Sequence, residues 1–512
     1  MLRREVTVWG SFMWGYADVG ADIYTALGLV AGAAMGATPV AFAVAGIVYL
    51  LVGLAYTELA SSYPVAGGGQ YFTLRGLGDV WGFVCGSALL LDYTIDISLF
   101  AVSSSGYFNF FLPALGVNIH DFVISIGPIV GVNYLWLLET LAIIAFLIVI
   151  NYVGIRISSR INEVLGVIAI LGQVVIVVFG FVFAWDPHMM LLQMQLQFPN
   201  MHNFMYGSSL AIISFVGLES ISQVSQETRR PATIVPRTSI SLVLNVLIFA
   251  IAFSVLGMGL LPWQVLGAHP GDPIAIVAQK IPIIGAIAAP MTALIGGVIV
   301  LISSNSGVMS ASRLTYSMST FHLLPEWFSA VHPRYHTPYR TIIVFSMVAV
   351  VQAILAFLTS QAMGTLANMY AFGATFGYLL VFISLIVLRF KDPYSPRPYR
   401  MPFNISLRSR DGGPNVAFPV LAVIGFLGVG TILFEVILTH AIGRIAGPAW
   451  VLLMLLIYYI YRRRAGLSPW RELPRDWEAQ QRKTLAEAEE FELLTEYEAA
   501  LAEKAAREAA KP

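Results

Sequence analysis

From residue 8 to residue 463 the chain keeps offering stretches of 20 or so mostly apolar residues. That is about the length a helix needs to cross a bilayer core of roughly 30 Å. Twelve spans can be marked, at 8–33, 38–62, 79–111, 134–154, 161–185, 204–226, 237–261, 284–318, 341–360, 362–389, 416–440 and 445–463. The third and eighth are long enough to tilt or protrude. A soluble chain carries about 25% charged residues; here 11% are charged and 57% hydrophobic, too few charges to cover a soluble surface. The expected fold class is an all-α polytopic membrane protein.

The basic residues fall on one side of this map. Alternate segments carry Arg3 and Arg4, Arg75, Arg156 and Arg160, then Arg229, Arg230 and Arg237, then Arg313, Arg334 and Arg340. Arg389, Lys391, Arg397, Arg400, Arg408 and Arg410 follow, and then the tail from Arg462. The opposite segments hold only Lys280 and Arg444. By the positive-inside rule, both termini are cytoplasmic. Net charge is zero, so nucleic acid is not an implied partner, and the single Cys85 excludes an intramolecular disulfide. A Walker motif is absent, and the N-terminus lacks the apolar core and cleavage site of a leader, so it is read as retained. Residues 1–464 are expected to form the membrane domain, and 465–512 a charged, helix-favouring tail with Leu485, Ala488, Phe491, Leu494 and Leu501 on one stripe.

Acids sit where they are costly. Asp18 and Asp22 lie in the first span, Asp92 and Asp96 in the third, and Glu219 in the sixth. Each would cost about 2.5–3.5 kcal/mol at a helix centre, and five together on the order of 12–18 kcal/mol. Asp92 and Asp96, four apart, share a helix face that Ser103 continues. No basic residue lies at matching depth, which favours a cation or proton as partner; the alternative is a carboxyl satisfied by neighbouring helix ends. Gly20 in “DVGAD” and Gly217 in “SFVGLES” weaken the first and sixth spans, which would be counterparts by position if ten helices form two five-helix repeats, about 8–185 and 204–389. Paired glycine interruptions of this kind point to a mid-membrane transport site. Ser303, Ser304, Asn305 and Ser306, and likewise Asn368 and Tyr370, either line that site or hold helices together. Glu139 and Glu435 are read as interfacial.

At these positions the sequence resembles the amino acid–polyamine–organocation superfamily of secondary transporters. The stretches that carry the resemblance are “GADIYTALG” (20–28), “YTELASSYPVAGGGQY” (56–71) and “SFVGLESISQVSQETRRPATIVPR” (214–237). “SASRLTYSMSTFHLLPEWFSAVHPRYHTPYR” (310–340) and “RPYRMP” (397–402) complete the set. The resemblance spans 8 to 463 and leaves the tail outside. It implies a LeuT-like fold, two inverted five-helix repeats plus two extra helices at about 416–463. It also implies a central site using Gly20, Ala21, Asp22 and Ile23 at the first break and Ser214, Phe215 and Gly217 at the second. Asp92, Tyr93, Asp96, Ser304 and Asn305 complete the expected binding set, with Asp18, Asp22, Asp96 and Glu219 coupling or gating.

Two departures stand out. The family usually has Gly or Ser where Asp22 stands, and an ionised Asp22 would repel a substrate carboxylate. Many members carry a fifth-helix lysine, whereas “INEVLGVIAILGQVVIVVFGFVFAW” has none. “LDYTIDIS” is similar to the proton-coupled potassium importers of the superfamily, so potassium uptake is the alternative to the main expectation. That expectation is a proton-coupled transporter of an amino acid or amine-bearing cation, with no cofactor and no metal. An intramembrane aspartyl protease is the rival from another class, from “GLGD” (76–79) and “PAL” (113–115), but its tyrosine–aspartate partner motif is missing. His332 and His336 lack a third ligand, and Gly67–Gly69 reads as a reorientation loop.

Overall fold

The computed structural model describes residues 7–126, 129–153, 156–335, 337–359, 361–408 and 415–509. Arg3, Arg4, His336 and Arg410 of the sequence reading lie outside the described residues, as do the side chains of Arg156 and Arg160. The chain runs α1 Val8–Val19, α2 Ile23–Ala34, α3 Thr38–Ser62, α4 Gly69–Leu77 and α5 Asp79–Asn109. A hairpin of β1 Val123–Ile126 and β2 Ile129–Asn133 precedes α6 Tyr134–Val153, α7 Arg156–Phe183, α8 Pro187–Leu196, α9 Met201–Ala211 and α10 Glu219–Val224. Then come α11 Pro231–Leu260, α12 Trp263–Ala268, α13 Pro273–Gln279, α14 Gly285–Thr320, α15 Tyr339–Phe357 and α16 Ala362–Lys391. A second hairpin, β3 Asn404–Leu407 with β4 Val416–Pro419, leads into α17 Val420–Thr439, α18 Gly443–Arg464, α19 Trp477–Glu487 and α20 Phe491–Ala509.

The molecule is mostly helical, as expected of a polytopic membrane protein. Its two antiparallel hairpins are four or five residues per strand and sit in connections. Eleven helical segments among the described residues are long and apolar enough to cross a membrane. The first, Val8–Ser62, is 55 residues long and turns at Met35, whose φ is 50°.

Burial sorts centre from rim. The most apolar window of α5 is wholly buried, against 22% for α6 and 28% for α7, α17 and α18. The rim helices turn Leu138, Phe146, Leu171, Ile437 and Leu452 outward, as lipid-facing helices do. Between apolar helices in lipid, small residues permit close packing. At Gly307 a Cβ would fall 2.8 Å from an Asp96 carboxylate oxygen, and at Gly373 one would fall 3.0 Å from the Asp92 nitrogen, so α14 and α16 press on α5 at its two acids.

The two ends of the bundle close differently. At one end the α12–α13 segment lies on α2 and α5 main chain to main chain. A Cβ at Gly28 would meet Pro270 Cα at 2.8 Å, one at Gly267 would meet Gly32 Cα at 2.7 Å, and one at Gly106 would meet Gly271 Cα at 3.0 Å. The other end is held by ion pairs. Glu58 accepts from Arg389 at 2.7 and 2.5 Å, from the Met401 amide at 2.8 Å and from Arg397 at 3.3 Å. Arg75 meets Asp392 at 2.6 Å, and Asp79 takes Arg462 at 2.8 Å and Arg475.

The tail docks on this second end. Gln481 donates to the Ser62 carbonyl at 2.9 Å and accepts from Arg75 at 3.1 Å, Glu490 accepts the Ala232 amide at 3.0 Å, and Trp477 lies edge-on to Tyr71. The single apolar stripe expected of the tail is replaced by two helices joined at Glu489, whose φ is 58°. Phe491 is 62% exposed, and Tyr497, with Leu485 and Leu501, takes the buried position.

Candidate functional site

Two helix interruptions meet at the centre. The first is the turn Gly20–Ala21–Asp22 between α1 and α2. A Cβ at Gly20 would lie 2.5 Å from the Tyr16 ring, so only glycine leaves room for that ring. Gln173 of α7 holds the turn: it accepts from Tyr16 Oη at 2.9 Å and donates to the Gly20 carbonyl at 3.3 Å. The turn is tight rather than open, with the Gly20, Asp22 and Tyr24 amides bonded to the Tyr16, Val19 and Ala21 carbonyls. Asp22, 1% exposed, has neither carboxylate oxygen bonded, and Ala21 and Ile23 are buried beside it.

The second interruption separates α9 from α10. The chain tightens through a 3₁₀ turn at Ile212–Phe215, extends at Val216, and reaches Gly217 at φ 113°. That φ disfavours a side chain, and so does the space: a Cβ at Gly217 would stand 3.0 Å from Asp18 Cγ and 3.2 Å from the Val19 amide nitrogen. The two breaks thus touch through Gly217 and Asp18. Glu219 opens α10 and accepts the Gly217 N–H at 3.2 Å and the Tyr378 hydroxyl at 2.8 Å, the usual use of an acid at a helix start. Phe215 stacks on Tyr49 at 5.0 Å, and Ser214 Oγ is buried and unbonded.

α5 supplies the remaining acids. Asp96 accepts the Tyr370 hydroxyl at 3.1 Å, and Tyr93 accepts from Gln223 at 3.1 Å. Asp92 is fully buried, no N–H or O–H reaches its carboxylate oxygens, and it lies against Glu219 within hydrogen-bonding reach. All five acids share one electrostatic neighbourhood around Asp22. The buried arginines among the described residues, Arg75, Arg389 and Arg462, are all paired at the tail end. Among the described residues no cluster of three or more His, Cys, Asp or Glu could hold a metal.

Some expected site residues are engaged elsewhere. Ser304 donates to the Ile97 carbonyl at 2.7 Å and Asn305 accepts from Asn151 at 2.6 Å, so both hold α14 to its neighbours instead of facing the breaks. Their neighbour Ser303 reaches the Asp18 carbonyl at 3.0 Å. Asn368 bonds the Gly364 carbonyl and Tyr206, whereas Tyr370 joins the acids. Asp79, the residue behind the protease reading, is bound by Arg462, Arg475 and the Leu473 amide. Gln173 and Tyr378 are missing from the sequence reading. Tyr370 and Tyr378, eight apart on α16, share a helix face, a spacing that could have drawn attention to the second.

The acids are shut from solvent, none being more than 4% exposed. A cavity of about 640 Å³ lies toward the α12–α13 end, lined by Gly28, Trp136, Tyr206, Trp263 and Gln361 among others, and stops short of them.

This architecture has relatives. The amino acid permease family profile matches residues 7–460. The branched-chain amino acid permease BcaP of Bacillus subtilis is 27% identical over 468 residues, 90% of this chain and 94% of that protein. The methylthioribose transporter of the same organism is 26% identical over 456 residues, 88% and 91% of the two chains. The mouse cationic amino acid transporter 4 is 29% identical over 395 residues, 74% of this chain and 58% of its own length. With the profile spanning nearly the whole membrane domain, the chain belongs to the amino acid permease family of the amino acid–polyamine–organocation superfamily, as a multi-pass membrane transporter.

Proposed function

We propose that the protein is a proton-coupled secondary transporter that moves an amino acid or amine-bearing organic cation across the cell membrane by alternating access. The observation that carries this is the pair of buried, unbonded carboxylates, Asp22 and Asp92, beside two helix breaks that touch. Ionisable groups at such depth are kept for moving charge. In this reading Val8–Ser62 crosses twice, at 8–34 and 38–62, since 55 helical residues would be about 80 Å long. That gives twelve crossings, a LeuT-like arrangement of repeats at about 8–185 and 204–389, extra helices at 416–463, and cytoplasmic termini with the tail at 465–512.

Asp22 and Asp96 meet the substrate ammonium, with Tyr93, Phe215 and the backbone at Gly20–Ile23 and Ser214–Gly217 around it. Asp92 and Glu219 carry the coupling proton: a proton on either lets it donate to the other, giving Asp92 the hydrogen bond it lacks. Asp18, pressed on Gly217, transmits movement between the breaks. The test is uptake into proteoliposomes of radiolabelled leucine, lysine and 1,4-diaminobutane, with and without an inside-alkaline pH gradient. At least one should accumulate saturably, show counterflow, and lose accumulation with a protonophore. Flux that ignores the gradient would remove the coupling; linear flux without counterflow would mean a channel. The Asp96–Tyr370 pair beside Asp92 also suits a bare cation, so rubidium influx in the same vesicles decides for or against potassium.

A further inference from the structure

The tail lies outside the crossings, yet it fastens together two groups of helices that are far apart in the chain. Toward α3, α4 and α5, Gln481 donates to the Ser62 carbonyl at 2.9 Å and accepts from Arg75 at 3.1 Å, and Arg475 pairs with Asp79. Toward α11 and α14, Glu490 accepts the Ala232 amide at 3.0 Å, and the other terminal nitrogen of the same Arg475 donates to the Phe321 carbonyl at 2.9 Å. Trp477 stands between the two groups, its ring 6.0 Å from that of Tyr71 and 6.5 Å from that of Phe321. The short stretch from Arg475 to Gln481 thus ties α4 and α5 to α14 across this end of the bundle.

Beneath it a run of polar contacts leads inward. The loop between α3 and α4 is held by Gln226, which accepts the Ala66 N–H at 3.2 Å, and by Ser317, which donates to the Ala66 carbonyl at 2.8 Å. Gln223 accepts the Gly67 N–H at 3.0 Å and donates to Tyr93, the neighbour of Asp92. Outside that loop is a cavity of about 180 Å³, with Val65, Ala66, Gln226 and Ser317 on one side and Gln480 and Thr484 of α19 on the other. The tail is the cover of that cavity.

The cover is built to part from its seat. Leu485, Tyr497 and Leu501 form a small apolar cluster of the tail's own, separate from the main core, and Lys504 pairs with Glu478 at 2.8 Å, so α19 and α20 hold to each other. A cavity of about 560 Å³ lies between them and the bundle, bordered by Arg75, Lys391 and Asp392 on one side and Trp477 and Tyr497 on the other. Apart from the Trp477 ring, undocking breaks polar contacts that water can replace, and a hydrogen bond exchanged for one to water is only a modest net loss. We infer that the tail is an autoinhibitory strap: α19 and α20 lift as a pair from Ser62, Phe321 and Ala232 before this end of the bundle opens, and their release sets the rate of transport. This rests on the transporter reading above and adds its regulation.

The test uses the full-length protein in proteoliposomes, with radiolabelled leucine, lysine, 1,4-diaminobutane and rubidium as probes. Arg475→Gln combined with Gln481→Leu removes the bonds to Phe321, Ser62 and Arg75 and the pairing with Asp79; Asp79 keeps Arg462 and Arg75 keeps Asp392, so no buried charge is left alone. Trp477→Ala loosens the same seat through a different contact. For every probe that the wild-type protein takes up saturably, each variant should raise the initial rate about fivefold or more. Hydrogen exchange over residues 62–72, read in detergent and needing no substrate, should rise by a similar factor. Lys483→Ala, whose ion pair stays within α19, should change neither. Wild-type uptake that both variants leave unchanged or lower would overturn the strap and keep the transporter reading, and so would unchanged exchange over 62–72. No saturable flux of any probe, from the wild type or the variants, would bring down both.

Discussion

The contact between the two helix breaks makes the sharpest prediction, through Gly217→Ala. A side chain at φ 113° costs about 1–3 kcal/mol in backbone strain. The new methyl would also stand 3.0 Å from Asp18 Cγ, 3.1 Å from its Oδ2 and 3.2 Å from Val19 N, with backbone behind it on one side. Overfilling of that kind costs about 1–3 kcal/mol more. The total is about 2–6 kcal/mol, taken up by pushing α10 away from the α1–α2 turn. Gly466→Ala separates the two contributions: Gly466 has φ 71° but no atom within 4 Å of a Cβ, so it carries only a strain of about 1–2 kcal/mol. Both variants would be purified in detergent and melted at one scan rate, then assayed for uptake in proteoliposomes. Gly217→Ala should show the lower midpoint and at least about tenfold slower uptake, a loss of about 1.4 kcal/mol at the transition state; Gly466→Ala should transport normally. A Gly217→Ala midpoint no lower than that of Gly466→Ala, with full uptake, would refute the claim that the breaks bear on each other through this glycine.

Three further outcomes follow from the geometry. Gln173→Leu leaves Tyr16 Oη and the Gly20 carbonyl without their partner, so the midpoint should fall by the equivalent of about 1–3 kcal/mol per buried group; an unchanged melt would show that the turn needs no outside support. Glu58→Gln leaves Arg389 buried without its counter-charge, a loss of about 3–5 kcal/mol, and Glu58→Gln with Arg389→Met should melt above the single variant; failure of the second change to recover any stability would contradict this. Burial would raise the Asp392 carboxyl, but Arg75, Ser395 and Arg397 hold it below the usual carboxylate range. Its contribution is therefore full above the unfolded value near 4 and is lost only as pH falls through the depressed one. Hydrogen exchange in α19 should accordingly be unchanged, after correction for intrinsic rates, between pH 7 and 5.5; extra loosening in that window would point to another group.

Much of this structure is written in local chemistry. Lipid demands long apolar runs, so the spans stand out, and a carboxylate inside one is conspicuous, which is how Asp22, Asp92 and Asp96 could be singled out. Gly217 is legible for a related reason: glycine before an acid inside an apolar run is costly unless the backbone bends there. What hides is helix phase and distant pairing. Ser303 and Ser304 look alike in sequence, yet about 100° of rotation sends one to the first break and the other to α5. Gln173 reads as an ordinary polar residue because its partners lie more than 150 positions away. The turn at Glu489 escapes a helix-favouring composition because docking against Ala232, not propensity, sets where the tail bends. The two hairpins are too short for alternation to show.

The seat of α12–α13 on α2 and α5 leaves one consequence for anyone handling this protein. Surfaces that meet without side chains have no give, since no rotamer can swing aside to absorb an intruder. A single methyl at Gly28, Gly106 or Gly267 would behave as a shim, lifting the segment off its bed by the thickness of the added carbon. Such shimmed variants offer a way to prop the molecule ajar at the end where the 640 Å³ cavity lies, and to ask how far toward Asp22 the opening then runs.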